Sequence, residues 1–319
     1  MKCLLVMPLH FYSFSHHLGK ALSNQGYEII YANDEYPKNL VGRMLSKFGF
    51  SWFIQKLTRV HFKRHFLRNK HYDVVVVIKG RGFSSSLLRD IETCSNRIIG
   101  YHFDSFGVEI GPSRWVNDVK DISTFDHLDA EKFNLKIIEL FSTLDLSGQP
   151  SPPGERKFFL SAVVKNHSDR LSYIDQVFSI LPSEQVFIYI FEGNFLSFIA
   201  NTIKSPLLTL KYFNHIHFKP LSHEDYAKVL ISSEFTLDFA HPRQQGVTMR
   251  CFEAASAGTR VITNNKNIYK SCVFEDSMFI VHPFDSSSEI LNNILHGVLS
   301  DPRIYNTRTS EDFVRNLLE

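Results

Sequence analysis

The stretch that decides the fold is Phe235–Asn265, FTLDFAHPRQQGVTMRCFEAASAGTRVITNN. Its apolar run Phe235–Ala240 predicts a buried strand, the polar segment His241–Gly246 predicts a loop, and the residues that follow predict an amphipathic helix. Gly258 marks the end of that helix, and Arg260–Thr263 predicts a second buried strand. Because a helix N-terminus presents unpaired N–H groups and a positive dipole end, we expect an anion site in this unit.

The helix carries an acid, Glu253, followed by the small residues Ala254–Ala257. The sequence FEAASAGTRVI resembles the donor-site helix of the GT-B glycosyltransferases, in which two glutamates with seven residues between them precede small residues and a glycine. The resemblance implies that Glu253 binds the ribose hydroxyls of a nucleotide sugar. Gln245 stands where that family has its first glutamate, so the role of this position is open. The alternative is an ordinary strand–helix unit of a doubly wound sheet with a solvated Glu253.

The composition indicates a folded protein of two domains. The chain has 319 residues, of which 44% are hydrophobic and 21% charged, and that length suits two domains of ordinary size. Its four cysteines form no CxxC pair, which argues against a zinc cluster or a disulfide framework and suits a reducing cytoplasm. The first apolar run is too short for a signal peptide, and no window reaches 18 apolar residues, so we expect a cytoplasmic chain without a membrane span.

Residues 38–70 form a basic segment with nine Lys or Arg and no Asp or Glu. Aromatic and aliphatic residues interleave with these cations at helical spacing, which predicts a helix or helix pair lying on an anionic membrane surface, at the inner face of the plasma membrane. The alternative is a solvated helical face that packs its apolar side on the core. The sequence has no signature of a nucleic-acid-binding module, so we expect no nucleic-acid partner.

Strands and helices alternate in two series, which predicts an α/β protein. The Pro-, Gly- and Ser-rich segment at residues 147–157, SGQPSPPGERK, predicts a linker between residues 1–146 and residues 158–302. Residues 303–319 hold a last helix. This organisation resembles GT-B enzymes over nearly the whole chain. The resemblance implies two Rossmann-like doubly wound domains facing a central cleft, the first binding the acceptor and the second the nucleotide sugar, with the last helix crossing back to the first domain. Neither a GxGxxG sequence nor a P-loop follows the first strand, which disfavours dehydrogenases and P-loop enzymes.

Ligands of open α/β sheets bind at the carboxyl ends of strands, so the polar residues there are the site candidates. In the first domain, Asp104 follows an aromatic strand whose low dielectric would raise its pKa and make it a general base on an acceptor hydroxyl. His10, in the first strand–helix loop, is a second candidate base. A loop cap is the alternative for Asp104, and a hydrogen-bonded loop histidine is the alternative for His10. The acceptor-side candidates are Lys79, Arg81 and Glu109.

The donor-side candidates lie in the second domain. They are Lys165, Arg170, Glu192, His241, Gln244, Gln245, Gly246, Arg250 and Glu253. The resemblance implies that the loop holding Lys165 and Arg170 faces the donor diphosphate, and Arg250 is placed to do the same by a bidentate contact; solvated surface charges are the alternative. The chain has no strand-end Asp-x-Asp pair, and basic side chains replace a metal in GT-B enzymes. We therefore expect no metal and no cofactor.

These features together predict a metal-independent glycosyltransferase. It would move a sugar from a nucleotide-sugar donor to a glycan or lipid-linked acceptor in bacterial cell-surface polysaccharide synthesis, of the lipopolysaccharide or capsule type. One alternative is a nucleotide-sugar-modifying enzyme such as an epimerase, which needs no acceptor. Another is a non-catalytic scaffold of the same fold in a polysaccharide assembly complex.

Overall fold

The computed structural model describes residues 1–9, 12–38, 42, 50–108, 111–144, 155–178, 185–271, 278–281 and 308–319. These residues divide into two compact units. The first comprises Met1–Thr143, His241–Gly246 and Arg308–Glu319, and the second lies within Leu144–Ala240 and Val247–Thr307. Most of the linker predicted at 147–157, and the whole helix predicted at 286–299, lie outside the described residues, so both stay predictions.

The first unit is built on six parallel strands in the order β2-β1-β3-β4-β5-β6. They are β1 (Lys2–Val6), β2 (Glu28–Ala32), β3 (Val74–Ile78), β4 (Ile98–His102), β5 (Asp121–Thr124) and β6 (Lys136–Ile137). All five residues of β3 are buried, as expected for a parallel strand covered on both faces. The apolar pattern of Lys136–Leu140 predicts a strand of five residues, whereas the structure ends β6 at Ile137.

The second unit holds another sheet of six parallel strands, in the order β12-β11-β10-β7-β8-β9. They are β7 (Phe158–Lys165), β8 (Val186–Phe191), β9 (Ile216–His217), β10 (Ser233–Asp238), β11 (Arg260–Thr263) and β12 (Phe279–Val281). β10 is buried at every residue and lies between β7 and β11. The two strands predicted around the helix with Glu253 are therefore hydrogen-bonded neighbours inside this sheet, and the α/β fold class is confirmed.

The described helices follow the strands as a doubly wound fold requires. They are α1 (Tyr12–Asn24), α2 (Ser51–Phe62), α3 (Ser85–Glu92), α4 (His127–Phe133), α5 (Arg170–Phe178), α6 (Phe195–Lys204), α7 (Pro206–Lys211), α8 (His223–Ile231), α9 (Met249–Ser256) and α10 (Ser310–Leu318). Local chemistry sets several of their starts. Ser222 caps α8 by accepting a hydrogen bond from the Asp225 amide, and Thr309 forms a capping box with Asp312 at the start of α10.

The C-terminal helix α10 belongs to the first unit and closes part of its core. Phe313 is fully buried there, and its ring centroid lies 4.8 Å from that of Tyr101 and 4.9 Å from that of Phe141. Tyr101 is the fourth residue of β4, and its hydroxyl donates to the Ile138 carbonyl. One aromatic side chain thus joins the last helix to the centre of the first sheet.

Replacing Phe313 by alanine removes this contact and leaves a cavity. We expect Phe313→Ala to lower the free energy of unfolding of the first unit by about 3–5 kcal/mol, as measured by urea denaturation. Leu128→Ala, at a side chain that is largely exposed, is the control and should cost little. Equal effects of the two changes would contradict the packing of α10 described above.

Candidate functional site

In the second unit, two arginines lie at the carboxyl ends of the central strands. Arg170 is the first residue of α5, the helix that follows β7, and Arg250 lies in the first turn of α9, which follows β10. The Arg170 guanidinium lies 5.7 Å from the Phe239 ring centroid, and its Nη1 donates to the Lys165 carbonyl at 3.3 Å. The loop and helix positions predicted for the donor side therefore converge on one edge of this sheet.

Both guanidinium groups carry an unsatisfied donor. Within the described part of the chain, the buried Nε atoms of Arg170 and Arg250 have no hydrogen-bond partner. Burial and the neighbouring Arg250 charge lower the pKa of Arg170 to about 10, which leaves it cationic at neutral pH. Since buried N–H groups in native proteins are nearly always paired, these two donors are candidates for binding an anionic ligand.

Acidic and phenolic groups surround Arg250. Burial disfavours its charge, but Tyr226, Asp238 and Glu253 outweigh burial and raise the pKa of Arg250. Glu253 lies in the same helix and is only 8% exposed. The Asp238 carboxylate accepts hydrogen bonds from the hydroxyls of Thr248 (2.7 Å) and Thr263 (3.0 Å). Asp238 therefore ties the start of α9 to β11, and its negative charge stabilises the cationic form of the nearby Arg250.

A cavity of about 290 Å³ opens beside this group. Its wall is formed by the ends of β7 and β8, the segment before α8, two side chains of α8 and one of α9. The lining residues are Val163, Val164, Lys165, Tyr189, Phe191, Pro220, Leu221, His223, Tyr226 and Arg250. Aromatic side chains together with the cations Lys165 and Arg250 suit a planar, anionic ligand of small size.

Glu192 is fully buried behind the ends of β7 and β8. Its carboxylate accepts hydrogen bonds from Asn166 Nδ2 at 2.5 Å and from Asn201 Nδ2 at 3.0 and 3.2 Å. The donor-binding role that the sequence suggests for Glu192 stays a prediction. In the structure, the Glu192 side chain links the ends of β7 and β8 to α6 through these hydrogen bonds.

The predicted donor loop His241–Gly246 belongs to the first unit. The Asp126 carboxylate accepts hydrogen bonds from the Gln245 amide (2.6 Å) and the Gly246 amide (3.0 Å). A Cβ atom at Gly246 would lie 2.5 Å from the Phe125 ring, so only glycine fits. Gln245 and Gly246 are thus held through their backbone. Gln244 donates from its side chain to the Gly246 carbonyl, and the His241 Nδ1 accepts from the Arg243 amide.

The acceptor-side candidates of the first unit are engaged with acids. The buried Lys79 forms an ion pair with Asp104, and its Nζ lies 4.7 Å from the Phe103 ring centroid. This pair was not expected from the sequence, which placed only aromatic groups around Asp104. Arg81 binds the buried Asp34 through Nε (2.9 Å) and Nη2 (3.2 Å). His10 and Glu109 lie outside the described residues, so their predicted roles stay predictions.

Three residues important to these arrangements were missed from the sequence: Asp126, Asp238 and Tyr226. Asp126 had a readable signal, because it precedes α4 and caps it by accepting from the Leu128 and Asp129 amides. Asp238 ends a strand whose pattern, FTLDFA, predicts burial in a sheet and no binding role, and Tyr226 lies inside an amphipathic helix. Their roles depend on neighbours far along the chain.

A family model described as "Glycosyl transferase-like" matches residues 199–304, about a third of the chain, and this segment includes Arg250 and Glu253. No curated protein matches the chain. Among solved structures, a sucrose-phosphate synthase from Thermosynechococcus elongatus aligns with a TM-score of 0.61 at 11% identity, covering 100% of this chain and 94% of that chain.

Two further solved structures align over the whole chain. The lipopolysaccharide outer core galactosyltransferase WaaB, in its apo form, has a TM-score of 0.60 at 10% identity and is covered over 99% of its length. A UDP-N-acetylglucosamine 2-epimerase has a TM-score of 0.61 at 15% identity and is covered over 94%. The chain has the GT-B fold. At these identities the likeness establishes the fold of the two α/β units and leaves the reaction to the site.

Among the residues that the structure describes, no helix is long and apolar enough to cross a membrane. Within the same residues, no group of three or more His, Cys, Asp or Glu is placed to hold a metal ion. The expectations of a metal-independent reaction and of a chain without cofactor stay predictions.

Removing the Asp126 carboxylate should release the loop that it holds. We expect Asp126→Ala to speed hydrogen–deuterium exchange of the Gln245 and Gly246 amides and to destabilise the first unit by about 1–3 kcal/mol, because a cap and two loop bonds are lost. Asp118→Ala, at an exposed carboxylate of the same unit, is the matched control. Unchanged exchange at residues 245 and 246 would show that the loop is held by other contacts.

Proposed function

We propose that this protein is a glycosyltransferase that binds a nucleotide sugar in its second unit. The sugar would pass to a glycan or lipid-linked acceptor in bacterial cell-surface polysaccharide synthesis. The observation that carries this proposal is the pair of buried guanidinium donors at the strand ends of that unit. The match of residues 199–304 to a glycosyl transferase-like family supports it, because that match spans α9.

In this proposal Arg170 and Arg250 bind the donor diphosphate. Arginine presents paired donors that suit phosphate oxygens, and two cations together offset the charge that grows on a leaving nucleoside diphosphate. Lys165, the exposed last residue of β7, lies at the cavity wall and would add a third positive charge. The amides at the start of α9 supply further donors for the same anion.

Glu253 would bind the ribose hydroxyls. Its carboxylate lies on α9 within electrostatic reach of both Arg250 and Tyr226, so the ion is compensated although it is buried. A carboxylate accepts two hydroxyl hydrogen bonds from vicinal alcohols. The aromatic walls of the 290 Å³ cavity, Tyr189 and Phe191 among them, would then contact the base or sugar.

Asp104 is the candidate base for the acceptor hydroxyl. Its side chain is 34% exposed, whereas its partner Lys79 is buried beneath it at the end of β3. We propose that Lys79 orients the carboxylate so that one face stays open to the acceptor. His10 is the second candidate for this role.

An epimerase acting on a nucleotide sugar is the competing function, because a UDP-N-acetylglucosamine 2-epimerase shares the fold. The two functions differ in their products. A transferase releases a nucleoside diphosphate and needs an acceptor, whereas an epimerase returns an isomeric nucleotide sugar. Product analysis by mass spectrometry and NMR with and without a glycan acceptor separates them.

Nucleotide binding is the first test. We expect one of UDP, GDP, CMP, CDP, ADP or dTDP to raise the melting temperature, since a ligand at about 100 times its Kd stabilises the folded state by about 2.7 kcal/mol. Glu253→Gln and Arg170→Gln should each abolish most of the shift, and Glu224→Gln, at an exposed acid on α8, should preserve it. The absence of a shift with every nucleotide would favour the scaffold alternative.

We also propose that α2 brings the enzyme to an anionic membrane surface. Its buried stripe is Ile54, Thr58 and Phe62, at helical spacing. The opposite face exposes Trp52 and Val60 to 62% and 60%. Aromatic and aliphatic side chains that alternate with cations on an outer helix face are typical of interfacial helices.

The cations of α2 and of the helical segment Lys63–Leu67 that directly follows it differ in what they contact. Arg59 and Lys63 pair with Asp90 of α3, and Arg59 Nε lies 2.6 Å from its Oδ2. Lys56 and Arg64 are exposed and form no ion pair with any described residue. The two paired cations fasten the helix to the unit, and the other two are available to phosphate headgroups, each contributing about 1 kcal/mol near an anionic surface.

Vesicle co-sedimentation tests this surface. We expect Lys56→Glu combined with Arg64→Glu to weaken binding to vesicles containing anionic lipid by about 30-fold or more, because at least two attractive charges are lost. The matched control is Lys20→Glu combined with Lys132→Glu, two exposed lysines of the same unit. Added salt should reduce wild-type binding. Binding that ignores both salt and the charge reversal would refute the proposed contact.

A further inference from the structure

Helix α6 exposes its apolar face to solvent, whereas an ordinary surface helix buries that face. None of its ten residues, FLSFIANTIK, is buried, although most are apolar. Phe195, Leu196, Ile199 and Ile203 share one face by their spacing of three and four residues, and all four are exposed. A helix that displays its apolar face in this way has its hydrophobic partner elsewhere.

The polar face of α6 is the one that attaches it to the second unit. Asn201 Nδ2 donates to the buried Glu192 and, at 3.2 Å, to the Asn166 carbonyl. At the end of the helix, Lys204 Nζ lies 2.9 Å from Asp169 Oδ1. At its start, Asn194 caps it by accepting from the Ser197 amide at 2.8 Å. Hydrogen bonds therefore fix which side of α6 faces outward, and the apolar side is held outward by them.

The next helix continues the apolar surface. α7 contacts α6 and exposes Leu207 and Leu210. The six apolar side chains of the two helices are between 40% and 80% exposed, which is roughly 800 Å² if a fully exposed large apolar side chain offers about 200 Å². The largest apolar patch on a typical monomer is about 300–600 Å². An area of this size equals one partner's share of a standard protein interface, about 800 Å².

Charge decides between a membrane and a protein as the occupant. The two lysines that border the patch are ion-paired, Lys204 with Asp169 and Lys211 with Asp175. The patch thus lacks the unpaired cations that α2 offers to an anionic surface. A neutral apolar stripe does not repel its own copy, and a two-fold axis brings the same patch of two copies together.

We propose that α6 and α7 form a two-fold interface between two copies of this chain. The apolar faces of the two α6 helices pack against each other across the axis, with Leu207 and Leu210 extending the contact on each side. This interface is independent of the proposed reaction, and its test needs no substrate.

Light scattering coupled to size exclusion, over a range of concentrations, gives the test. We expect the full chain to run at twice its monomer mass. Ile203→Glu and Leu207→Glu should each raise the dimer dissociation constant by at least about 100-fold, because each places two like charges in an apolar contact. Val60→Glu, at an apolar side chain of similar exposure on α2, should leave the dimer intact.

The variants sit at exposed positions, and circular dichroism with thermal melting will verify that they fold. As a second measurement, Ala200→Cys should cross-link with a short bis-maleimide to a dimer, and the exposed Lys132→Cys should not. A monomeric wild type at every soluble concentration would overturn the proposal. So would a dimer that both glutamate variants preserve, or apolar-patch binding to neutral lipid vesicles by a chain that never dimerises.

Discussion

Both sheets of this protein are parallel and are covered by helices. Because the strands are buried on both faces, the charged side chains of the candidate site lie at the strand ends. A strand such as β3 or β10 is buried along its whole length. β3 has no charged residue, and the charged residues of β10, Glu234 and Asp238, lie near its two ends. Lys79 and Asp104 follow strands of the first sheet, and Lys165, Asp238 and Glu192 end or follow strands of the second. The positions of these five residues depend on this arrangement.

In the second unit, the charged groups of Asp238, Arg170 and Arg250 lie close enough together to offset one another. Asp238 is satisfied by two threonine hydroxyls and still lies near enough to stabilise the charges of Arg170 and Arg250. Burying ions in this manner is expensive unless each has partners. The Nε atoms of Arg170 and Arg250 nevertheless have no hydrogen-bond partner among the described residues. The Asp238 carboxylate is thus hydrogen-bonded, whereas each guanidinium keeps a donor with which it could bind an anion.

The sequence predicted the elements better than the contacts. The sequence patterns predict strands at Glu28–Ala32 and Arg260–Thr263 and helices at Phe195–Lys204 and Ser310–Leu318, and the structure has β2, β11, α6 and α10 at these limits. Local signals define such ends, as with Gly258, which adopts a positive φ of 62° after α9. Of the donor-side residues predicted from strand ends, Lys165, Arg170 and Arg250 lie at one edge of the second sheet, whereas His241–Gly246 belongs to the first unit. The Asp126 link to Gln245 spans 119 residues, and no local pattern encodes it. The ion pair of Lys79 with Asp104 likewise depends on the pairing of β3 with β4, which the sequence pattern of neither strand predicts. The sequence did not predict that the apolar face of α6 is exposed, because its apolar residues have the spacing of an ordinary amphipathic helix, whose apolar face is buried.

The amide of Asn201 connects two regions that would otherwise be independent. On one side it belongs to the helix with the outward apolar face, and on the other it binds the carboxylate that joins the ends of β7 and β8, which also form the wall of the cavity. Any ligand that shifts those strand ends would act on the same carboxylate that positions the helix. By thermodynamic reciprocity, the affinity for such a ligand and the tendency of chains to associate would then change each other by the same factor, and protein concentration itself would become a regulator of the site.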